Sequence, residues 1–229
     1  MKKRRQVASR KPRNQNPAIE TPPVRPDLLI GEDFPALPRQ RRSRTKRDAL
    51  LRAALELFGA KGYEATAIGA IANRSRVAVG SFYQHFRSKR QLLLVLMNEL
   101  LQKLDQIDMQ PAGETLRDRI ESVLRAGLAT DLAYAGAYRA WREAMLSDRE
   151  LGARDETIRA WTTARLRFVF RQLQSLPDAR TDLDVELFAA MIDRLFWELI
   201  GSHSEASEQM VKITAHLIYH SMFRDSRAA

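Results

Sequence analysis

Ser81, Tyr83, Gln84 and His85 crowd four polar side chains into five positions, with Phe82 among them and Phe86 directly behind. The serine hydroxyl and the glutamine carboxamide suit base edges or phosphate oxygens, and the tyrosine hydroxyl can reach a phosphate. The alternatives are local: Tyr83 packed with only its hydroxyl exposed, and His85 held in a cap-like bond. Ser88-Lys89 follows at what reads as a helix start, where free N–H groups and the positive dipole end suit an anion. Lys89 adds a point charge there. At Thr66 one hydroxyl serves either a helix cap or a phosphate contact. No Gly-rich phosphate loop, nucleophile elbow or compact carboxylate–histidine cluster occurs, so an enzyme reading lacks a chemical centre.

These groups need elements to hold them. Apolar residues at 49, 50, 53, 54, 57 and 58 recur with the spacing of one helix face, and Lys61-Gly62 ends that helix with a glycine cap. A second short helix carries Ile68, Ile71 and Ala72 behind Thr66 as its candidate N-cap; a break follows near 73–76, and a third short helix spans roughly 77–84. A longer helix from near Ser88 has Leu93, Leu96, Met97, Leu100 and Leu104 as its seam. Ile68, Ile71, Val77, Phe82 and Phe86 are the positions expected to lock the small helices together, and Gly80 permits close approach to a neighbouring helix or to DNA. Helix, break and helix in about 20 residues is the size of a helix-turn-helix, whose second helix can enter a major groove. Further helices are expected near 114–131, 134–146, 151–175, 184–200 and 205–223, with no convincing alternating strand, so the fold class is all-α.

The residues go further than size. Thr66 to Ala72, then Val77-Ala78-Val79-Gly80-Ser81-Phe82-Tyr83-Gln84-His85-Phe86-Arg87-Ser88-Lys89, then Leu92-Leu93 resemble the DNA-binding domain of the TetR (tetracycline-repressor-like) family. The resemblance covers about 44–104, with the helix-turn-helix near 67–86 and its most specific run from Gly80 to Lys89. It implies DNA contacts at Ser81, Tyr83 and His85, and a helical remainder, 105–229, for ligand binding and dimerisation. Two positions depart from the family pattern: Arg76 stands where glycine is usual, and Ala78 where serine or threonine is usual. Arginine in a left-handed turn costs roughly 1–2 kcal/mol, and alanine forgoes a cap of about 1 kcal/mol. Arg74 and Arg76 add charge near the groove. The DNA-contact candidates are thus Arg44, Lys46, Thr66, Arg76, Ser81, Tyr83, Gln84, His85 and Lys89.

Charge supports that placement. Residues 1–47 hold 14 basic residues and four acidic ones, which accounts for the entire net charge of +10. The rest is neutral overall but polarised, +4 over 48–90 and −4 over 91–229. Arg41, Arg42, Arg44, Lys46 and Arg47 precede the first helix and suit phosphates or a minor groove, or else form a solvated charge run. Residues 1–43 carry seven of the nine prolines and read as a disordered basic arm, with Leu28-Leu29-Ile30 and Phe34 as a patch able to dock. The chain has no cysteine, which excludes disulfides and thiolate chemistry. No apolar run approaches the ~18–20 residues of a membrane span. A cytoplasmic protein without a secretory signal is the expectation.

In the helical remainder Tyr138, Trp141, Met145, Trp161, Arg165, Phe168 and Phe196 are candidates to line a pocket, with Thr162 and Gln172 as further polar groups; ordinary core is the alternative. Phe188, Ile192, Leu195, Leu199, Leu217, Ile218 and Met222 give the last two helices apolar faces for an isologous homodimer, or for burial within one chain. His216 and His220 share a helix face, with Glu205 and Glu208 nearby, but an i,i+4 pair alone is weak and no metal or cofactor is expected. The function these readings imply is a sequence-specific, homodimeric transcriptional regulator of palindromic double-stranded DNA, a repressor released by a small molecule. The alternatives are a nonspecific nucleic-acid-binding protein driven by the arm, or a helical metal-binding or enzymatic bundle.

Overall fold

The computed structural model describes residues 21–36, 40–201 and 207–224, with the side chains of 198–201 and 207 left aside. Among them the chain is helical throughout: α1 Arg41–Lys61, α2 Ile68–Arg74, α3 Val79–Tyr83, α4 Lys89–Asp105, α5 Leu116–Ala133, α6 Ala135–Ala144, α7 Arg149–Gln174, α8 Val185–Gly201 and α9 Ser207–Met222. The sole extended pairing among the described residues is an isolated bridge between Ala179 and Phe223. None of these helices is long and apolar enough to cross a membrane.

Local chemistry sets the helix ends. Gly62, at φ 85°, closes α1 with its N–H on the Phe58 carbonyl at 2.9 Å. Ser88 caps α4 by accepting from Gln91 N–H, and Thr115 with Asp118 forms a reciprocal capping box at α5. Ala78 caps α3 with no side-chain bond, so that helix forgoes about 1 kcal/mol. Arg76 sits at φ 56° in the turn, so arginine itself holds the strained left-handed conformation there.

Two apolar cores form. The first joins Leu50, Phe58, Ile71, Phe82, Phe86 and the Leu92–Met97 run of α4 to Tyr134, Trp141 and Trp161. Leu92–Met97 is buried on all sides, which explains six consecutive apolar residues on a helix. The helix-turn-helix unit therefore shares its core with α6 and α7, across the domain division expected at 104. The second core holds Ile120, Phe170, Phe188, Ile192, Ile218 and Met222.

The expected disordered arm is corrected over 21–36. Leu28 is 3% exposed and enters the first core. Leu28 N–H and Arg25 both donate to Asn98 Oδ1 of α4 at 3.0 Å. Glu32 accepts from Arg90 at 2.5 Å and Arg154 at 3.0 Å, Asp33 pairs with Arg87 at 2.9 Å, and Arg154 also donates to the Leu28 carbonyl. Two acidic residues of a basic segment thus find three arginines on the body, and the docked leucine and ion pairs offset the entropy that the prolines suggested would win. Residues 1–20 and 37–39 lie outside the described residues.

Candidate nucleic-acid interface and a cavity in the helical body

α3 has two faces. Phe82 and Phe86 are fully buried, with ring centroids 5.7 Å apart, and Phe82 meets Tyr83 edge-on at 5.4 Å. Behind them Ile71 is buried, and Ile68 and Val77 pack partly against the same core. Outward stand Val79, Gly80, Tyr83 and Gln84, with Ser81 half-buried at the edge. Tyr83 is 52% exposed, so the packed alternative does not hold. A Cβ at Gly80 would meet no protein atom within 4 Å. No neighbouring helix therefore requires glycine at this position. Arg76 is exposed beside this face, whereas the Arg74 charge is taken up by Glu56 at 2.7 Å.

The cations expected to precede α1 lie within it: Arg41, Arg42, Arg44 and Lys46 are exposed in its first two turns. Arg47 is turned inward over the Phe86 ring at 5.3 Å, with Glu99 at 3.8 Å.

Two of the expected DNA contacts, Thr66 and His85, are buried, and a third, Lys89, is engaged within the chain. Thr66 is buried and its hydroxyl donates to the Gly62 carbonyl at 2.6 Å, so it neither caps α2 nor faces a phosphate. Lys89 Nζ donates to the Tyr63 carbonyl at 2.5 Å and lies 4.1 Å from the Tyr63 ring centroid, which fixes its ammonium to the α1–α2 turn. His85 is 5% exposed, and both ring nitrogens are enclosed without partners. Burial, then the charges of Arg47 and Lys46, hold its pKa below the usual imidazole value. Its ring belongs to the packing behind α3.

The interface is tied to the body. Glu143 of α6 accepts from the N–H groups of Tyr63 at 2.6 Å and Glu64 at 3.1 Å, and those bonds lower its carboxyl pKa. At the α1–α6 crossing, Gly59 and Gly136 let the backbones touch.

Between the two cores lies a cavity with about 140 Å³ of space for water-sized groups, lined from α4, α5, α6, α7 and α8. Tyr138, Trp161, Arg165 and Phe196 line it as expected, with Thr162. Trp141, Met145 and Phe168 do not. Trp141 is buried in the first core with Nε1 donating to Asp155 at 3.0 Å, and Met145 packs on that core. Phe168 lies on α7 away from the lining, and Gln172 is exposed. Asp131 was not anticipated: it accepts from the Tyr138 hydroxyl at 2.7 Å, and burial pushes its pKa up to about 7. Asp193, also lining the cavity, accepts from Thr163 at 3.2 Å and is raised by burial.

The expected dimer face is corrected too. Phe188, Ile192, Ile218 and Met222 are buried inside the chain, in the second core. Leu195 and Leu217, also expected at that face, are exposed, together with their neighbours Leu187 and Met191 on α8 and Ile213 on α9. The side chain of Leu199 lies outside the described residues. The His216 and His220 rings are 4.1 Å apart, but Glu208 is held by Arg125 at 2.7 Å. Among the described residues no three His, Asp or Glu gather as a metal site; Glu205 lies outside them.

Residues 50–96 match the model of bacterial regulatory proteins of the tetR family. The chain is 38% identical over 91 residues to the HTH-type transcriptional regulator TcmR of Streptomyces glaucescens, covering 39% of this chain and 40% of that protein. It is 33% identical over 95 residues to the HTH-type transcriptional repressor KstR of Rhodococcus jostii, covering 42% and 43%. The match thus spans less than half the length of either curated relative. Among solved structures, the fatty acid degradation regulator FadR of Bacillus halodurans has a TM-score of 0.63 at 20% identity, over 76% of this chain and 94% of that one. Residues 50–96 thus match the tetR-family DNA-binding domain, and the described helices share the fold of solved tetR-family proteins.

Proposed function

We propose that the chain is a homodimeric transcriptional repressor of the cytoplasm, released from a palindromic operator by a small molecule. The observation that carries this reading is α3 itself, a short helix locked by Phe82 and Phe86 that turns Tyr83, Gln84 and an unobstructed Gly80 outward. Exposed Arg44, Lys46 and Arg76 supply phosphate affinity, and the uncharged groups supply base discrimination. The cavity and the interface share helices. Tyr138 on the cavity wall and Glu143 on the α1–α2 turn both belong to α6, and α4 runs from Leu104 at the cavity to Lys89 behind the turn. A ligand that fits one arrangement of these helices better than another shifts the population, and with it the spacing of two recognition helices.

The second copy pairs through the exposed residues of α8 and α9. Leu187, Met191 and Leu195 recur at i, i+4 and i+8, and Leu187 is 70% exposed, while the alternate stripe serves the core. An isologous contact needs such a self-complementary patch. Introducing Met191→Glu with Leu195→Glu is expected to convert the dimer to a monomer in sedimentation at micromolar concentration, and to lower affinity for a two-fold symmetric duplex at least about tenfold. A variant that stays dimeric would place the interface elsewhere.

A further inference from the structure

Arg165 lines the cavity as its one cation among the described residues, and its hydrogen bonds are incomplete. Nη1 is enclosed and has no hydrogen-bond partner among the described residues; Asp105 forms only a loose ion pair with it at 3.8 Å. Nη2 meets only the Met109 sulfur at 3.5 Å, a weak acceptor, and the guanidinium sits 5.5 Å from the Trp161 ring centroid. Burial lowers the Arg165 pKa, which marks a charge short of compensation. Across the cavity each acid has one hydroxyl donor, and burial raises both carboxyls, so it favours their neutral forms. Asp131 has the Tyr138 hydroxyl and Asp193 the Thr163 hydroxyl. Trp161, Phe196 and Trp197 give one part of the wall flat apolar surfaces, and aliphatic side chains such as Leu124, Leu166 and Ile192 complete it.

We propose that the cavity takes a ring-bearing apolar molecule with an anionic acceptor, a carboxylate or phenolate, seated on Arg165. The proposal rests on the reading of this cavity as the effector site. An anion supplies the acceptor that Nη1 lacks, in the planar geometry a guanidinium matches, while the rings fill the aromatic wall. A cationic ligand would set a second positive charge near Arg165, opposite carboxyls whose neutral forms burial favours.

Three isosteric probes test it on the full chain: 2-naphthoate, 2-naphthamide and 2-naphthylmethylamine, titrated by tryptophan fluorescence. Naphthoate is expected to bind at least about tenfold more tightly than the other two, the value of one charge-assisted bond. Arg165→Gln should erase that preference and leave amide affinity unchanged, and Arg165→Met, which keeps most of the apolar stem, should do the same. Equal affinity for acid and amide in the wild type would overturn the proposal whatever the variants do, while leaving a ligand-binding cavity in place. Preference for the amine would overturn it as well. Failure of all three to bind would overturn the anion proposal and count against the cavity as a ligand site. Tight naphthoate binding that leaves operator affinity unchanged would support the ligand class and refute the effector reading alone.

Discussion

Gly80→Leu leaves the protein folded and lowers its affinity for a duplex selected by the wild type at least about a hundredfold. A side chain at this position meets nothing within 4 Å of its first carbon, so the core gives no resistance. Replacing glycine in a helix also removes a propensity penalty of about 1 kcal/mol. The new isobutyl group stands one turn before Tyr83 and Gln84, on the face that has to close on a groove. Displacing two base or phosphate contacts at about 1–3 kcal/mol each gives a loss of that size. Fluorescence anisotropy measures the affinity, and a thermal melt checks the fold. Undiminished binding would mean that α3 does not enter the groove.

Gly136→Ala acts from the opposite direction, on stability first. A Cβ at Gly136 would collide with the Leu55 carbonyl oxygen and approach Gly59 N at 2.9 Å, and these are backbone atoms that cannot swing aside. α1 and α6 must separate, at an overpacking cost of about 1–3 kcal/mol. For a chain of this size that lowers Tm by roughly 3–10 °C. Gly59→Ala is the matched control, because its nearest contact would be an ordinary 3.5 Å. α6 also carries Glu143 against the helix-turn-helix and Tyr138 against the cavity, so the same variant should alter DNA affinity. A melting temperature equal to that of Gly59→Ala would show that the crossing is loose.

The helices and the outward residues of α3 were legible in the sequence because periodicity and the Gly80–Lys89 run report on local structure. What each polar group bonds was not. Thr66 reads as a free hydroxyl, but the Gly62 carbonyl lies within reach only once α1 has ended in its glycine cap. His85 follows a short helix where polar groups suggest exposure, yet the turn before α4 folds its ring inward. Lys89 opens a helix and still turns to Tyr63. Of the docked segment at 21–36 only the apolar patch Leu28-Leu29-Ile30 and Phe34 was legible; Glu32 and Asp33 find partners, Arg87, Arg90 and Arg154, that are distant in sequence. α8 carries apolar residues on two stripes, and periodicity cannot say which one the chain itself covers. Phe188 and Ile192 took the core and left Leu187 and Met191 outside. Trp141 and Trp161 likewise differ only by their surroundings, Asp155 for one and the cavity for the other.

The charge is divided by the same packing. Asp33, Glu32 and Glu56 bind Arg87, Arg90 and Arg74, so these cations are already committed within the chain. On the proposed reading, polyanion affinity falls to the exposed cations of α1 and Arg76, and discrimination to the uncharged groups of α3.

Selection of duplexes from a random pool by the full chain, followed by competition against a scrambled duplex at physiological salt, tests the central claim most directly. The account predicts a two-fold symmetric site, with half-sites about one helical turn or a multiple apart, bound at least about 10³-fold more tightly than the scrambled duplex. An asymmetric pool bound no better than scrambled DNA would leave only counterion release from the basic residues, and the reading of α3 as a recognition helix would be wrong.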